Sequence, residues 1–187
     1  ASHGLDFQGM LQSLNEQPAG TIVVLHACCH NPTGVDPTFE QWKEISQIVK
    51  QKELVPFLDI AYQGFGDGLD QDASVVRQFA ALGLSMLVSS SFSKSFSLYG
   101  ERVGALTLVT TSKDETSRVL SQVKRVIRTN YSNPPTHGGK VVATVLNSPE
   151  LFQLWSDELA GMRNRIRAMR SQLVEKLKAH GIAQNFD

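Results

Sequence analysis

The run Leu54-Val55-Pro56-Phe57-Leu58-Asp59-Ile60-Ala61-Tyr62 is almost continuously apolar and ends in a carboxylate and a phenol. Unbroken apolar runs of this kind suit strands buried on both faces, which fill parallel sheets. Residues 21–27, 85–90 and 103–109 have the same character, and stretches of helical periodicity separate most of them. The alternation predicts an α/β fold, a three-layer α/β/α arrangement around a mostly parallel sheet. The third and fourth runs need no helix between them.

Between the first two runs, Asp36-Pro37-Thr38-Phe39-Glu40-Gln41-Trp42 opens a helix that continues to about residue 52. Either Asp36 caps it with Pro37 in the first turn, or Thr38 caps it with Gln41 completing a capping box. Helices are also expected over 73–82 and 113–127. Asn133-Pro134-Pro135 forces a break, because neither proline has an N–H to donate and each restricts its predecessor. A short helix over about 136–146 follows. Ser148-Pro149-Glu150 then supplies an N-cap, a first-turn proline and an early acid, and only Gly161 interrupts before Gly181. One long helix is expected there. The chain opens without Met and stops at Asn185-Phe186-Asp187 with no closing element, so it reads as a fragment. Residues 1–147 would be part of a large domain and 148–187 a long interdomain helix leading to a missing small one.

With 187 residues, 41% of them hydrophobic, the chain is long enough to bury a core. Its 18 basic and 18 acidic residues balance, so no charge excess draws it to nucleic acid or an anionic membrane. No apolar run has the length of a membrane span, and Ala1-Ser2-His3-Gly4-Leu5-Asp6 has none of the features of a signal segment. The only cysteines, Cys28 and Cys29, are adjacent and cannot staple distant parts of a fold. Free thiols in a soluble, cytoplasmic protein are expected.

Asp59 lies at the end of its apolar run, where an ionised carboxylate is costly unless it meets a cation or several donors. A protonated pyridine nitrogen is such a cation, and pyridoxal chemistry uses an acidic partner there so that the ring can accept electrons. Tyr62 is placed to reach the ring hydroxyl. A helix cap, a general base or a magnesium ligand are competing readings; the last is weak because no Gly-x-x-x-x-Gly-Lys-Ser/Thr loop exists in the chain. Lys94 follows the third run and stands among Ser89, Ser90, Ser91, Ser93 and Ser95. Partial desolvation at a strand end favours the neutral amine, which attacks a carbonyl to form a Schiff base. A lone lysine is far more often an ordinary surface residue, so the neighbours decide. Arg102 precedes Val103-Gly104-Ala105 at the mouth of the next strand, and a guanidinium with serine hydroxyls makes a phosphate cradle. Pairing with Glu101 explains the arginine equally well.

His26-Ala27-Cys28-Cys29-His30-Asn31-Pro32-Thr33-Gly34 invites a zinc reading, but ligands so close in sequence cannot all wrap one tetrahedral ion. No metal is expected. Asn31-Pro32-Thr33-Gly34 reads as a tight turn at a strand end, where open α/β sheets contact ligands, and Asn31 is a candidate neutral donor. Gly64-Phe65-Gly66-Asp67-Gly68 fails as a dinucleotide loop, since no apolar helix follows it. Arg163, Arg165, Arg167 and Arg170 are offset by Asp157, Glu158 and Glu175, which favours a solvated or partner-facing helix surface over nucleic-acid binding.

In order and approximate spacing, Asn31-Pro32-Thr33-Gly34, Asp59-Ile60-Ala61-Tyr62 and Ser91-Phe92-Ser93-Lys94 with Arg102 resemble the fold-type I pyridoxal-phosphate aminotransferases. The His26–Gly34 stretch, Tyr99-Gly100-Glu101-Arg102-Val103-Gly104 and Asn130-Tyr131-Ser132-Asn133-Pro134-Pro135 resemble the aspartate and aromatic (tyrosine) amino acid branch, and the likeness spans essentially the whole chain. Phe57 to Gly66 and Ser93 to Gly100 look closer to the bacterial aromatic enzymes.

The resemblance implies a PLP-binding large domain over 1–147 and a homodimer that moves the amino group of aspartate or an aromatic amino acid onto 2-oxoglutarate by ping-pong exchange. It implies Lys94 as the Schiff-base lysine and proton carrier, Asp59 at the pyridine nitrogen, Tyr62 and Asn31 at the ring oxygen, and Ser91, Ser93 and Arg102 at the phosphate of pyridoxal 5'-phosphate. Arg128 matches the arginine that binds a dicarboxylate side chain in the neighbouring subunit's site. The family's remaining phosphate loop, its ring-stacking aromatic and the arginine that grips the substrate α-carboxylate would lie outside this chain, so the piece alone should have little or no activity. A non-catalytic module of the same fold and a decarboxylase or lyase are the rival readings. Retention of Lys94, Asp59 and Arg102 disfavours the first, and the Asn130 to Pro135 segment disfavours the second.

Overall fold

The computed structural model describes residues 4–182 and residue 184. Ala1-Ser2-His3 and Asn185-Phe186-Asp187 lie outside the described residues. The elements, in chain order, are α1 (Phe7–Asn15), β1 (Ile22–His26), α2 (Phe39–Gln51), β2 (Val55–Ile60), α3 (Leu69–Asp72), α4 (Ser74–Ala81), β3 (Met86–Ser91), β4 (Gly104–Val109), α5 (Lys113–Asn130), α6 (Thr136–Asn147) and α7 (Pro149–Ala179), with a short 3₁₀ turn at Tyr99–Glu101.

The sheet runs β1-β2-β3-β4, parallel through β3 and antiparallel at β4. β4 can return directly because a short connection suffices for an antiparallel neighbour, as the spacing of the runs implied. Alternation along the strands divides the sheet into two faces. Leu25, Leu58, Ile60, Met86 and Val88 point to one face and meet Leu11 and Leu14 of α1, Trp42, Ile45 and Val49 of α2, and Val75 and Phe79 of α4 in a single core. Trp42 packs its edge on Phe79 at 6.2 Å between ring centres.

The opposite face is more open. Ile22 and Val24 of β1 are over 60% exposed there, so β1 is not covered on both sides as its apolar composition suggested. α5 lies near the β4 end of this face, where Leu106 shares a cleft with Val119, Val123 and Val126.

Thr38, not Asp36, caps α2: its side chain accepts from the Gln41 N–H and the Gln41 side chain returns to the Thr38 N–H. Asp36 instead accepts from the N–H groups of Cys29 and His30, at 2.6 and 2.8 Å. α5 continues past residue 127 to Asn130, since nothing in Arg128-Thr129-Asn130 breaks a helix. α1 and the single turn α3 are additions that the sequence reading did not assign. α7 is one unbroken helix capped by Ser148, and Gly161 faces open space. The N-terminal part of α7 docks on the loops after β2 and β3 through buried Leu159, stacked Trp155 and Phe96, and a Trp155 Nε1 bond to the Ser95 carbonyl.

Candidate active site at the carboxyl end of the sheet

Parallel register aligns the ends of three strands on the open face: His26 pairs with Asp59, and Asp59 with Ser89. Neighbours Leu58 and Ile60 face the core, so Asp59 must face the other way, with its side chain 40% exposed rather than enclosed by apolar residues. Ser89 Oγ donates to Asp59 Oδ1 at 2.8 Å. His26 Nδ1 accepts from the Asn31 N–H, which leaves Nε2 to carry the proton of a neutral ring, and Nε2 lies 3.8 Å from Asp59 Oδ2. The strand-end carboxylate is therefore held by a hydroxyl and faced by an imidazole.

Beyond the strand ends, Tyr62 receives a hydrogen bond on its phenol oxygen from Asn31 Nδ2 at 3.3 Å. Lys94 Nζ stands 4.7 Å from the centre of the Tyr62 ring, close enough for a cation–π contact when the amine is charged. Lys94 belongs to a turn closed by the Ser97 N–H on its carbonyl. Phe92, edge-on to Phe96, and the Trp155 bond to Ser95 fix that turn against α7. Ser91 Oγ accepts from the N–H of buried Ser93. A cleft of about 460 Å³ opens beside Asn31, Tyr62 and Phe65, and one of about 700 Å³ beside His26 and Val24.

Of the residues expected to act together, the fold gathers Asn31 with Tyr62, Tyr62 with Lys94, and Ser91 with Ser93. Arg102 follows the 3₁₀ turn with a left-handed φ of 51°, and its exposed guanidinium bonds the Tyr99 carbonyl rather than either serine. Arg128, exposed near the end of α5, bonds Ser132 Oγ and touches none of the others. His26 and Ser89 were not read as partners of Asp59. Aligning the ends of the apolar runs in parallel register would have placed all three in one row.

Among the described residues, neither histidine of the His26–His30 loop joins the cysteines in a group of potential metal ligands. The rings of His26 and His30 lie tilted at 43° with centres 4.7 Å apart, and they meet Asp59 and Thr33 respectively. Cys28, Cys29 and Asp72 do converge, with donor atoms within 4.8 Å of one another. Asp72, however, already accepts three backbone N–H bonds. The two free thiols act on each other, which holds Cys29 below its ordinary value and, with burial, pushes Cys28 far above it. Arg165, Arg167 and Arg170 of α7 are exposed, as expected of a solvated surface, but Arg163 and Arg167 also bond the Gly64 to Asp67 loop.

Asp59 near the end of β2, with Tyr62 and Lys94 beyond the strand ends, stands at the edge of the sheet where open α/β folds bind ligands. The model of the family "Aminotransferase class I and II" matches residues 1–184, and the chain belongs to that family. It is 66% identical over 186 residues to an aspartate aminotransferase of Pseudomonas aeruginosa, covering 100% of this chain and 47% of that one. It is 51% identical to an aromatic-amino-acid aminotransferase of Escherichia coli, again over 100% of this chain and 47% of the relative. The crystal structure of an aromatic-amino-acid aminotransferase from Burkholderia pseudomallei, covalently bound to pyridoxal phosphate, superposes with a TM-score of 0.97 at 66% identity, covering 99% of this chain and 46% of that one. The chain thus spans about half the length of the relatives it matches.

Proposed function

We propose that the full-length protein holds pyridoxal 5'-phosphate on Lys94 and transfers the amino group of aspartate or an aromatic amino acid to a 2-oxo acid such as 2-oxoglutarate. The observation that carries this reading is the placement of Lys94, Tyr62, Asn31 and Asp59 around one end of the sheet. The donor set fits the group: Asp59 for a protonated ring nitrogen, the Tyr62 phenol and Asn31 amide for the ring oxygen, and Ser91, Ser93 and Arg102 for the phosphate. Bound there, the cofactor supplies an electron sink for the substrate carbanion. Ser89 and His26 keep Asp59 oriented, and Lys94 Nζ, once displaced by substrate, moves the proton at the reacting carbon.

Arg128 is assigned to the side-chain carboxylate of a substrate in the site of a second copy, which makes a homodimer part of the proposal. A cytoplasmic location is supported by the adjacent free thiols Cys28 and Cys29; among the described residues no helix is long and apolar enough to cross a membrane. An aspartate-specific enzyme is the alternative, since relatives of both names match strongly.

Borohydride reduction of the full-length protein, followed by peptide mapping, should fix the cofactor on Lys94, and Lys94→Ala should lose it. Label on a different lysine, or on none, would overturn the assignment. Turnover of aspartate against tyrosine and phenylalanine separates the two substrate readings.

A further inference from the structure

The loop that follows Tyr62 is held from two sides. Inside, the buried carboxylate of Asp72 accepts three backbone N–H groups: Gly64 at 2.7 Å and Gly66 at 3.0 Å on Oδ2, and Asp67 at 2.8 Å on Oδ1. Outside, the carbonyls of the same loop face α7, where Arg163 donates to Gly64 O at 2.9 Å and Arg167 to Gly66 O and the Asp67 carboxylate. The loop thus presents N–H groups inward to an anion and carbonyls outward to cations. Both glycines are required by this closeness: a Cβ on Gly66 would meet Asp72 Oδ1 at 2.5 Å, and one on Gly64 would meet Leu159 at 2.3 Å. The chain entering the clamp is Tyr62 itself, whose carbonyl accepts from the Phe65 N–H at 3.0 Å.

We propose that Asp72 is a positioning residue, which with Arg163 fixes the loop so that the Tyr62 phenol stays on Asn31 and beneath Lys94. This rests on the reading of Tyr62 as a cofactor contact. Asp72 touches neither Lys94 nor Tyr62 through any hydrogen bond of its own; it acts through the backbone. An asparagine at 72 has one acceptor oxygen and one NH₂, so it turns a donor toward at least one backbone N–H and loosens the loop at nearly constant volume.

The test uses the full-length protein freed of cofactor and titrated with pyridoxamine 5'-phosphate, which binds without a covalent bond to lysine. Wild type, Asp72→Asn, Tyr62→Phe and the double variant form a cycle. Asp72→Asn should weaken binding about 5-fold, on the scale of one lost hydrogen bond, and should add nothing in the Tyr62→Phe background. Arg163→Gln, on a part-buried helix position, should weaken it less and likewise add nothing there. Wild-type affinity in both Asp72→Asn and Arg163→Gln, or losses that multiply in the double variant, would overturn the proposal. If Asp72→Asn does not fold, Arg163→Gln and its double with Tyr62→Phe decide alone. Failure of the wild type to bind the probe would sink the cofactor reading and the positioning role together, whereas binding by the wild type isolates the clamp.

Discussion

At the residue scale, Asp59 shows how little a side chain's own identity decides. Its apolar neighbours suggest an enclosed carboxylate, yet period-two alternation sends Leu58 and Ile60 into the core and Asp59 to the open face. There its carboxylate accepts a hydrogen bond from Ser89 on the next strand. Ser89→Ala removes one hydrogen bond to a charged acceptor in a half-exposed site, so cofactor affinity should fall about 5-fold, or about 1 kcal/mol, with little loss of stability. Equilibrium titration of the full-length variant measures this, and unchanged affinity would show that the hydroxyl does not hold Asp59.

At the scale of elements, local rules were reliable wherever they involved only neighbouring residues. The capping box at Thr38 and Gln41, the break at Pro134-Pro135 and the long helix opened by Ser148-Pro149 all formed as the spacing requires. α5 carries a pH-sensitive start. Glu115 accepts from the N–H and the hydroxyl of Thr111, both at 2.8 Å, and these bonds to the charged form hold its carboxyl below the ordinary 4.5. A depressed folded-state value contributes stability that is complete above the unfolded value and disappears as pH falls through the folded one. The difference in urea midpoint between wild type and Glu115→Gln should therefore be present at pH 7 and shrink at pH 3. A constant difference would mean that charge at Glu115 contributes nothing.

At the scale of the whole molecule, α7 ties the two loops that carry Tyr62 and Lys94. Leu159, 1% exposed, packs against Gly64, while Trp155 reaches the Ser95 carbonyl. Leu159→Ala should cost about 2–5 kcal/mol, the range for deleting a buried leucine side chain, read from urea denaturation. A loss below about 0.5 kcal/mol would show that α7 is not docked there. The assignment of Arg128 to a second copy has its own test. Lys94→Ala and Arg128→Ala proteins, each poorly active on aspartate, should regain activity when mixed under conditions that exchange subunits. In the hybrid, the intact Lys94 would meet the intact Arg128 of the other copy. No recovery in verified hybrids would place Arg128 outside the shared site.

The sequence by itself determined the alternation of strands and helices and the helix starts, and it picked out Asn31, Asp59, Tyr62, Ser91, Ser93 and Lys94 as candidates, because these depend on residue type and short-range spacing. The tertiary structure alone decided what stands beside what. His26 and Ser89 join Asp59 only through strand register, and Arg163 and Arg167 reach the Tyr62 loop, held locally by Asp72, only through packing of a distant helix. A charge run and a glycine-rich stretch each read as solvent-facing or as a false motif in one dimension. They become two halves of one clamp when the chain brings a helix from nearly one hundred residues away.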